Sequence, residues 1–246
     1  MSVLDLSVVI PVRSLWKMTS DCLTSLRRNT PGPFEVLIVE GGSPPAMRRA
    51  LAALGRRWPA ARVLPAPRPN SFSAAVNCGL RAARGKVLVW LNNDVRVGAG
   101  WSSALSRALA APGVGAAGPR TARPSPRFER EAAAWALSRA GKVSPARSLW
   151  GHCLALRREA VEAVGLLDER LVWGQEDEDY SFRLRQAGWR LVYAEDCLVE
   201  HRGAATRRRW SAARWRAVDS NNEAVLREKW LREAGRIRRD IGKILG

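Results

Sequence analysis

Cysteine is scarce in this chain of 246 residues, and none of it is patterned. Cys22, Cys78, Cys153 and Cys197 stand alone, with no Cys-x-x-Cys pair. That argues against a zinc ribbon or a redox motif. Their apolar neighbours read them as small core residues of a reduced, cytoplasmic protein. Long apolar runs are missing too. Met1-Ser-Val-Leu-Asp5 carries no basic leader, and the first apolar run, Leu6–Val12, is only seven residues long. A spanning helix needs roughly 18, so neither a signal peptide nor a membrane span is expected.

Acid is also in short supply. Asp and Glu number 23 against 41 Lys and Arg, a net charge of +18. Such a chain repels itself and attracts polyanions. The candidates are nucleic acid, an anionic membrane surface or a phosphate-rich substrate, weighed against simple Ala/Arg-rich composition. There is no Gly-x-x-x-x-Gly-Lys-Ser/Thr loop, and no Gly-x-Gly-x-x-Gly after the first strand. A P-loop enzyme and an ordinary dinucleotide enzyme are thereby disfavoured. No nucleophile elbow supports Ser/His/Asp catalysis. The absence of a helix-turn-helix, zinc-finger or aromatic RNA-binding signature argues against nucleic acid as partner.

What is present is a globular core. The hydrophobic fraction is 46%, enough for one large α/β domain or one domain with an appendage. Apolar runs over Leu6–Val12, Phe34–Glu40, Ala61–Pro65 and residues 86–91 read as strands. Between them, residues 18–28, 46–58 and 74–83 have helical spacing, the last introduced by Asn70-Ser-Phe-Ser and closed by Gly85. Residues 101–111 are another helix. This alternation predicts a doubly wound, mostly parallel sheet flanked by helices. Residues 113–130 show weak periodicity, 127–140 suit a helix, and 141–149 read as a loop. A strand over 151–157, a helix over 158–164, a loop over 165–173, a helix over 176–187 and a strand over 189–194 follow. From residue 204 the chain turns helical, with Arg and Trp throughout. Its last forty residues hold 12 Lys/Arg against 5 Asp/Glu.

Two acidic clusters punctuate this pattern. Asn92-Asn93-Asp94 ends an apolar strand, where open α/β sheets present loops to a ligand crevice. A carboxylate there suits Mg²⁺ or Mn²⁺ bound to a diphosphate, or merely an Asx-rich turn. Glu176-Asp177-Glu178-Asp179 opens a helix, where acids suit the macrodipole. Crowded carboxylates also raise one another's pKa, which suits a general base. His201 follows the next strand as a candidate ligand. His152 reads as structural, with an approach to substrate left open. At the end of the second strand, Glu40 is placed to accept from a ribose or base edge. Gly41 and Gly42 allow close backbone approach there.

Taken in order, these residues resemble glycosyltransferase family 2, of the GT-A fold. The matched pieces are Val8-Val-Ile-Pro11, Val36-Leu-Ile-Val-Glu40 with Gly42-Ser43, Asn70, Asn77-x-Gly79, Ala83-x-Gly85 and Leu91-Asn-Asn-Asp94. Further on come Gly151-His-Cys, Leu166-Leu-Asp-Glu169, Glu176-Asp177-x-Asp179, Arg183-Leu-Arg-Gln-Ala-Gly188 and His201. No piece is specific alone; the order and spacing carry the likeness. It implies a GT-A catalytic domain over residues 1–203, with a basic helical extension over 204–246. It also implies an inverting transfer of a sugar from a nucleotide-diphosphate donor to a hydroxyl acceptor. Pro11, Val12, Glu40, Gly42, Ser43, Asn77, Asn93 and Asp94 would bind the donor. Asp94 and His201 would hold Mg²⁺ or Mn²⁺, and Asp177 would be the base. Trp173, Glu176 and Asp179 would face the acceptor. The chain departs from the family in Glu40 and Asn92, where aspartate is usual, and in Arg13-Ser14, where Tyr-Asn is usual.

Arg interleaved with Trp210, Trp215 and Trp230 suits an anionic membrane surface. The expectation is a cytoplasmic protein, peripheral on the inner face of the membrane, acting on a lipid-linked sugar, polysaccharide, protein or small molecule. The alternatives are a weakened transferase kept as a binding protein, and a basic nucleic-acid-binding module.

Overall fold

The computed structural model describes residues 5–68, 71–203 and 211–245, with residues 233–245 described by backbone alone. Asn70 and Trp210 lie outside the described residues.

The strands are β1 (Leu6–Val12), β2 (Phe34–Glu40), β3 (Ala61–Pro65), β4 (Val87–Leu91), β5 (Val95–Val97), β6 (Val114–Ala122), β7 (Val143–Ala146), β8 (Cys153–Arg157) and β9 (Arg190–His201). The helices are α1 (Trp16–Asn29), α2 (Pro45–Arg57), α3 (Phe72–Ala82), α4 (Trp101–Ala110), α5 (Phe128–Ser138), α6 (Arg158–Val164), α7 (Glu176–Gln186) and α8 (Ala212–Leu245). One sheet orders the strands β3-β2-β1-β4-β8-β6-β9-β5, with β7 paired to β9.

The near-continuous apolar runs become the parallel strands β3, β2, β1 and β4. β2, β1 and β4 are buried on both faces and so run nearly continuously apolar, while the edge strand β3 alternates and leaves Val63 exposed. Val8, Ile10, Val36 and Ile38 face one layer of core, and Val9, Leu37 and Val39 the other. The sheet does not stay parallel. β8 runs antiparallel between β4 and β6, and β5 and β7 run antiparallel to β9; β6 and β9 are parallel.

The weakly periodic stretch after residue 113 therefore holds a strand, β6, whose Val-Gly-Ala-Ala-Gly-Pro start has one β-branched residue, Val114, and no aromatic, too few to mark a strand. Its small residues are needed for close approach. A Cβ on Gly115 would stand 2.7 Å from Trp189 Cβ, and one on Gly118 2.9 Å from a Leu149 methyl. The expected loop over 141–149 contains the edge strand β7, which tolerates Pro145 because it pairs on one side only. β9 runs on past residue 194 to His201, bulging where Pro119 and Arg120 of β6 meet it.

α8 lies against the sheet-bearing part of the chain. Val225 and Leu226 bury themselves with Leu171, while Trp215 meets Trp173 at 4.9 Å between ring centroids and Trp230 meets Phe182 at 6.0 Å. Both described tryptophans of the tail thus contact the domain. Among the described residues no helix is long and apolar enough to cross a membrane.

Candidate active site

β1 leads to β2 on one side and neighbours β4 on the other, and ligands collect where strand order reverses in this way. A cleft of about 1080 Å³ opens there. Its first wall is made by the turns leaving the parallel strands: Pro11 to Ser14 after β1, Gly41 and Gly42 after β2, and Asn92 to Asp94 after β4. Gly42 has a φ of 88°, which glycine adopts without strain. Glu40 accepts from the Ser43 backbone N–H, so its carboxylate closes this turn. Asn93 braces two loops, donating to Ser14 O at 3.0 Å and Thr19 Oγ1 at 2.8 Å.

Asp94 sits in the short link between β4 and β5. Pairing of Val95 with His201, and of Arg202 N with Asp94 O at 3.1 Å, brings the end of β9 beside it. His201 Nε2 is 3.2 Å from Asp94 Oδ1. Behind it, His152 stacks on His201 with centroids 4.5 Å apart and planes 8° from parallel. His152 Nε2 meets Thr121 Oγ1 at 2.8 Å. Burial and the adjacent His201 push the His152 pKa down to about 3, against the pull of Asp94, so the ring is neutral at ordinary pH.

Further lining comes from the second half: Ser148 to Trp150, Trp173 to Glu178, and Arg214 of α8. Asp177 Oδ2 accepts from Gly151 N at 2.7 Å, and Oδ1 from Glu178 N at 3.0 Å. Gly151 makes this possible, since a Cβ there would stand 3.1 Å from Asp177 Cβ. The Trp90 indole N–H fixes the same glycine through its carbonyl. Burial raises the Asp177 pKa, opposed by those backbone donors. Burial, and then the Asp177 charge, push Glu176 up to about 8.

Metal fit can be judged from the donors present. Among the described residues no group of three His, Cys, Asp or Glu converges. Asp94 and His201 supply one oxygen and one nitrogen side by side, and the buried Oδ1 of Asn92 has no hydrogen-bond partner. That set suits a hard divalent ion completing its shell with ligand oxygens and water.

Comparison with known proteins bears on the chemistry. The family model "Glycosyl transferase family 2" matches residues 7–165, more than half of the chain. The chain belongs to glycosyltransferase family 2. It is a transferase of the GT-A fold. The "N-acetylglucosaminyl-diphospho-decaprenol L-rhamnosyltransferase" of Mycobacterium tuberculosis is 30% identical over 220 residues, 74% of this chain and 71% of that protein. The "O-antigen biosynthesis protein RfbC" of Myxococcus xanthus is 27% identical over 82% of this chain, which spans only 18% of that longer protein. Among solved structures, "GalNAc-T7 with UDP, GalNAc and Mn2+" superposes with a TM-score of 0.69 at 19% identity, over 81% of this chain and 44% of that one.

Against the expectations for a family 2 transferase, the cleft gathers Pro11, Val12, Gly42, Asn93 and Asp94 on one side, and Trp173, Glu176, Asp177 and His201 with them. Glu40 and Ser43 stand behind the turn rather than on the wall. Asn77 is a correction. It is 1% exposed, and its amide ties α3 to the loop after α6, donating to Leu167 O and Glu169 Oε1 and accepting from Leu167 N. Asp179 is another. Two residues past Asp177 it turns inward, 1% exposed, and pairs with Arg183 at 2.9 Å and Lys229 at 2.5 Å. Gln175, Arg214 and Trp150 join the walls without local sequence signal. His152, read as structural, was the nearest hint of the histidine stack.

Proposed function

We propose that the chain moves a sugar from a nucleotide-diphosphate donor to an acceptor hydroxyl with inversion, and that Asp177 is the general base. The observation that carries this reading is a single cleft lined by the Asp94–His201 pair and by Asp177. The first wall's backbone turns receive the nucleotide. Asp94 and His201 hold Mg²⁺ or Mn²⁺, which when bound supplies positive charge against the departing diphosphate. Asp177, held by Gly151 N, takes the proton of the attacking hydroxyl, and its raised pKa makes it a stronger base than an exposed aspartate. Inversion follows from one displacement without a covalent intermediate.

In this reading residues 1–203 form the catalytic unit, and α8 completes the acceptor wall. The acceptor belongs to cell-envelope polysaccharide or glycolipid synthesis, as the names of the two curated relatives imply for those proteins. Peripheral attachment to an anionic membrane surface would use the exposed arginines of α8 rather than Trp215.

The test is a donor-hydrolysis screen. With Mn²⁺ or Mg²⁺ and a panel of UDP-, GDP- and dTDP-sugars, one donor should release its nucleoside diphosphate. Asp94→Ala and Asp177→Ala should each lower that rate by about 10²-fold or more. Nucleotide binding without release from any donor, with or without added acceptors, would assign the chain as a binding protein instead.

A further inference from the structure

The wall that carries Asp177 holds a residue the reaction above does not use. Gln175 has a φ of 65°, a left-handed backbone that a non-glycine residue keeps only when its surroundings hold it there. It stands at the N-cap of α7 yet makes no side-chain cap. Its Oε1 is buried without a hydrogen-bond partner, and the residue lines the cleft. Its neighbour on the cleft, Glu176, shares that condition at Oε2 and is only 8% exposed. A buried acceptor left without a donor is destabilising. The Gln175 oxygen can only accept, and the Glu176 carboxyl can pair with a hydroxyl whether or not it is protonated, so a ligand rich in O–H groups satisfies both, which describes a sugar.

The strained backbone is held from behind. Asn222 of α8, 1% exposed, donates through Nδ2 to Trp173 O at 3.0 Å and Gly174 O at 2.8 Å. From the other side Ser73 Oγ of α3 donates to Leu171 O at 2.7 Å. The segment is thus clamped on two faces immediately before Gln175. A second hollow of about 460 Å³ lies between α7 and α8, and Gln175 and Glu178 line both it and the cleft. The two spaces share these two residues.

Building on the proposed transfer reaction, we infer that Gln175 reads the acceptor: its Oε1 accepts a hydrogen bond from a hydroxyl of an acceptor glycoside, beside the hydroxyl that Asp177 deprotonates. Asn222 is a positioning residue for that contact. The donor sugar is the other source of hydroxyls, and binding separates the two.

The full chain with Mn²⁺ is titrated calorimetrically with UDP, GDP and dTDP. The resulting nucleotide complex is then titrated with p-nitrophenyl glycosides of glucose, galactose, mannose, N-acetylglucosamine and rhamnose. At least one glycoside should bind. Gln175→Gly relaxes the left-handed backbone, so its melting temperature should not fall and nucleotide affinity should not change. It should nevertheless weaken the glycoside about tenfold, the worth of one good hydrogen bond. Gln175→Met, which keeps length but no acceptor, should show the same loss. Absence of glycoside binding, or wild-type glycoside affinity in both variants, overturns the inference. So does a loss that falls on a UDP-sugar relative to UDP, or one that comes with a lower melting temperature and weaker nucleotide. Failure of the underlying reaction reads differently: the wild-type chain would bind no nucleotide at all, and both readings would fall.

Discussion

At the residue scale, the site depends on carboxylates kept out of water. Glu176 is buried beside Asp177, and its pKa stands near 8 rather than near its ordinary value of 4.5. The folded chain therefore holds a proton there that the unfolded chain has already released between those two values. Stability contributed by this group is present at low pH and lost as pH rises through that window, at most about 1.4 kcal/mol per pH unit for each retained proton. Glu176→Gln should flatten the loss and leave the protein more stable than wild type at pH 9. Urea denaturation at pH 5, 7 and 9 checks this; parallel curves for the two proteins would contradict it. The sequence made Asp94, Asp177 and His201 conspicuous because acids and histidine are rare here and stand at strand and helix ends. It could not say that Asn77 and Asp179 face inward. Motif spacing fixes a position along a helix, but a rotation of one residue decides whether a side chain meets the cleft or the core.

At the scale of elements, glycines set how closely the layers approach. A Cβ on Gly79 of α3 would stand 2.2 Å from a Val9 methyl in β1. Gly79→Ala gains helix propensity but overfills the core, and should destabilise the fold by about 1–3 kcal/mol. The midpoint of urea unfolding measures the sign. A second expectation concerns α8. Asn222→Ala removes both donors from Trp173 O and Gly174 O. Amides of residues 171–176 should then exchange with solvent roughly five- to a hundredfold faster, from a local loss of about 1–3 kcal/mol. Hydrogen-exchange mass spectrometry reads that segment directly. Elements with strong apolar runs, β1 to β4, were legible with near-correct bounds. β6 and β7 were not, because small residues and proline form strands only where neighbours supply the pairing. β5 is three residues long and owes its existence to β9.

At the scale of the whole molecule, the net charge of +18 has no counterpart inside the cleft, where acids gather. The surplus is carried outside, as on α8 at Arg216 and Arg227. Such charges attract an anionic surface over about a Debye length, roughly 8 Å at physiological salt. The chain should bind phosphatidylserine vesicles at low salt and release them as salt rises. Arg216→Glu with Arg227→Glu should weaken binding, while neutral vesicles should not bind. Co-sedimentation tests it with the intact chain, because removing everything beyond residue 203 would also remove Asn222. The general α/β class and the family were readable across most of the length. That the tail closes the site was not, since its contacts with residues 168–182 arise from tertiary packing without a local motif.

The order in which the chain is made gives that closure a consequence in time. Asp177 leaves the ribosome well before Asn222, and at about 5–20 residues per second several seconds separate them. During that interval β1 to β4 are already made, while the segment before Gln175 still lacks its support from Asn222. A nascent chain at this stage has the turns of the first wall in place but a slack loop ahead of α7. The cleft is thus assembled in order along the chain, and its tail braces it last.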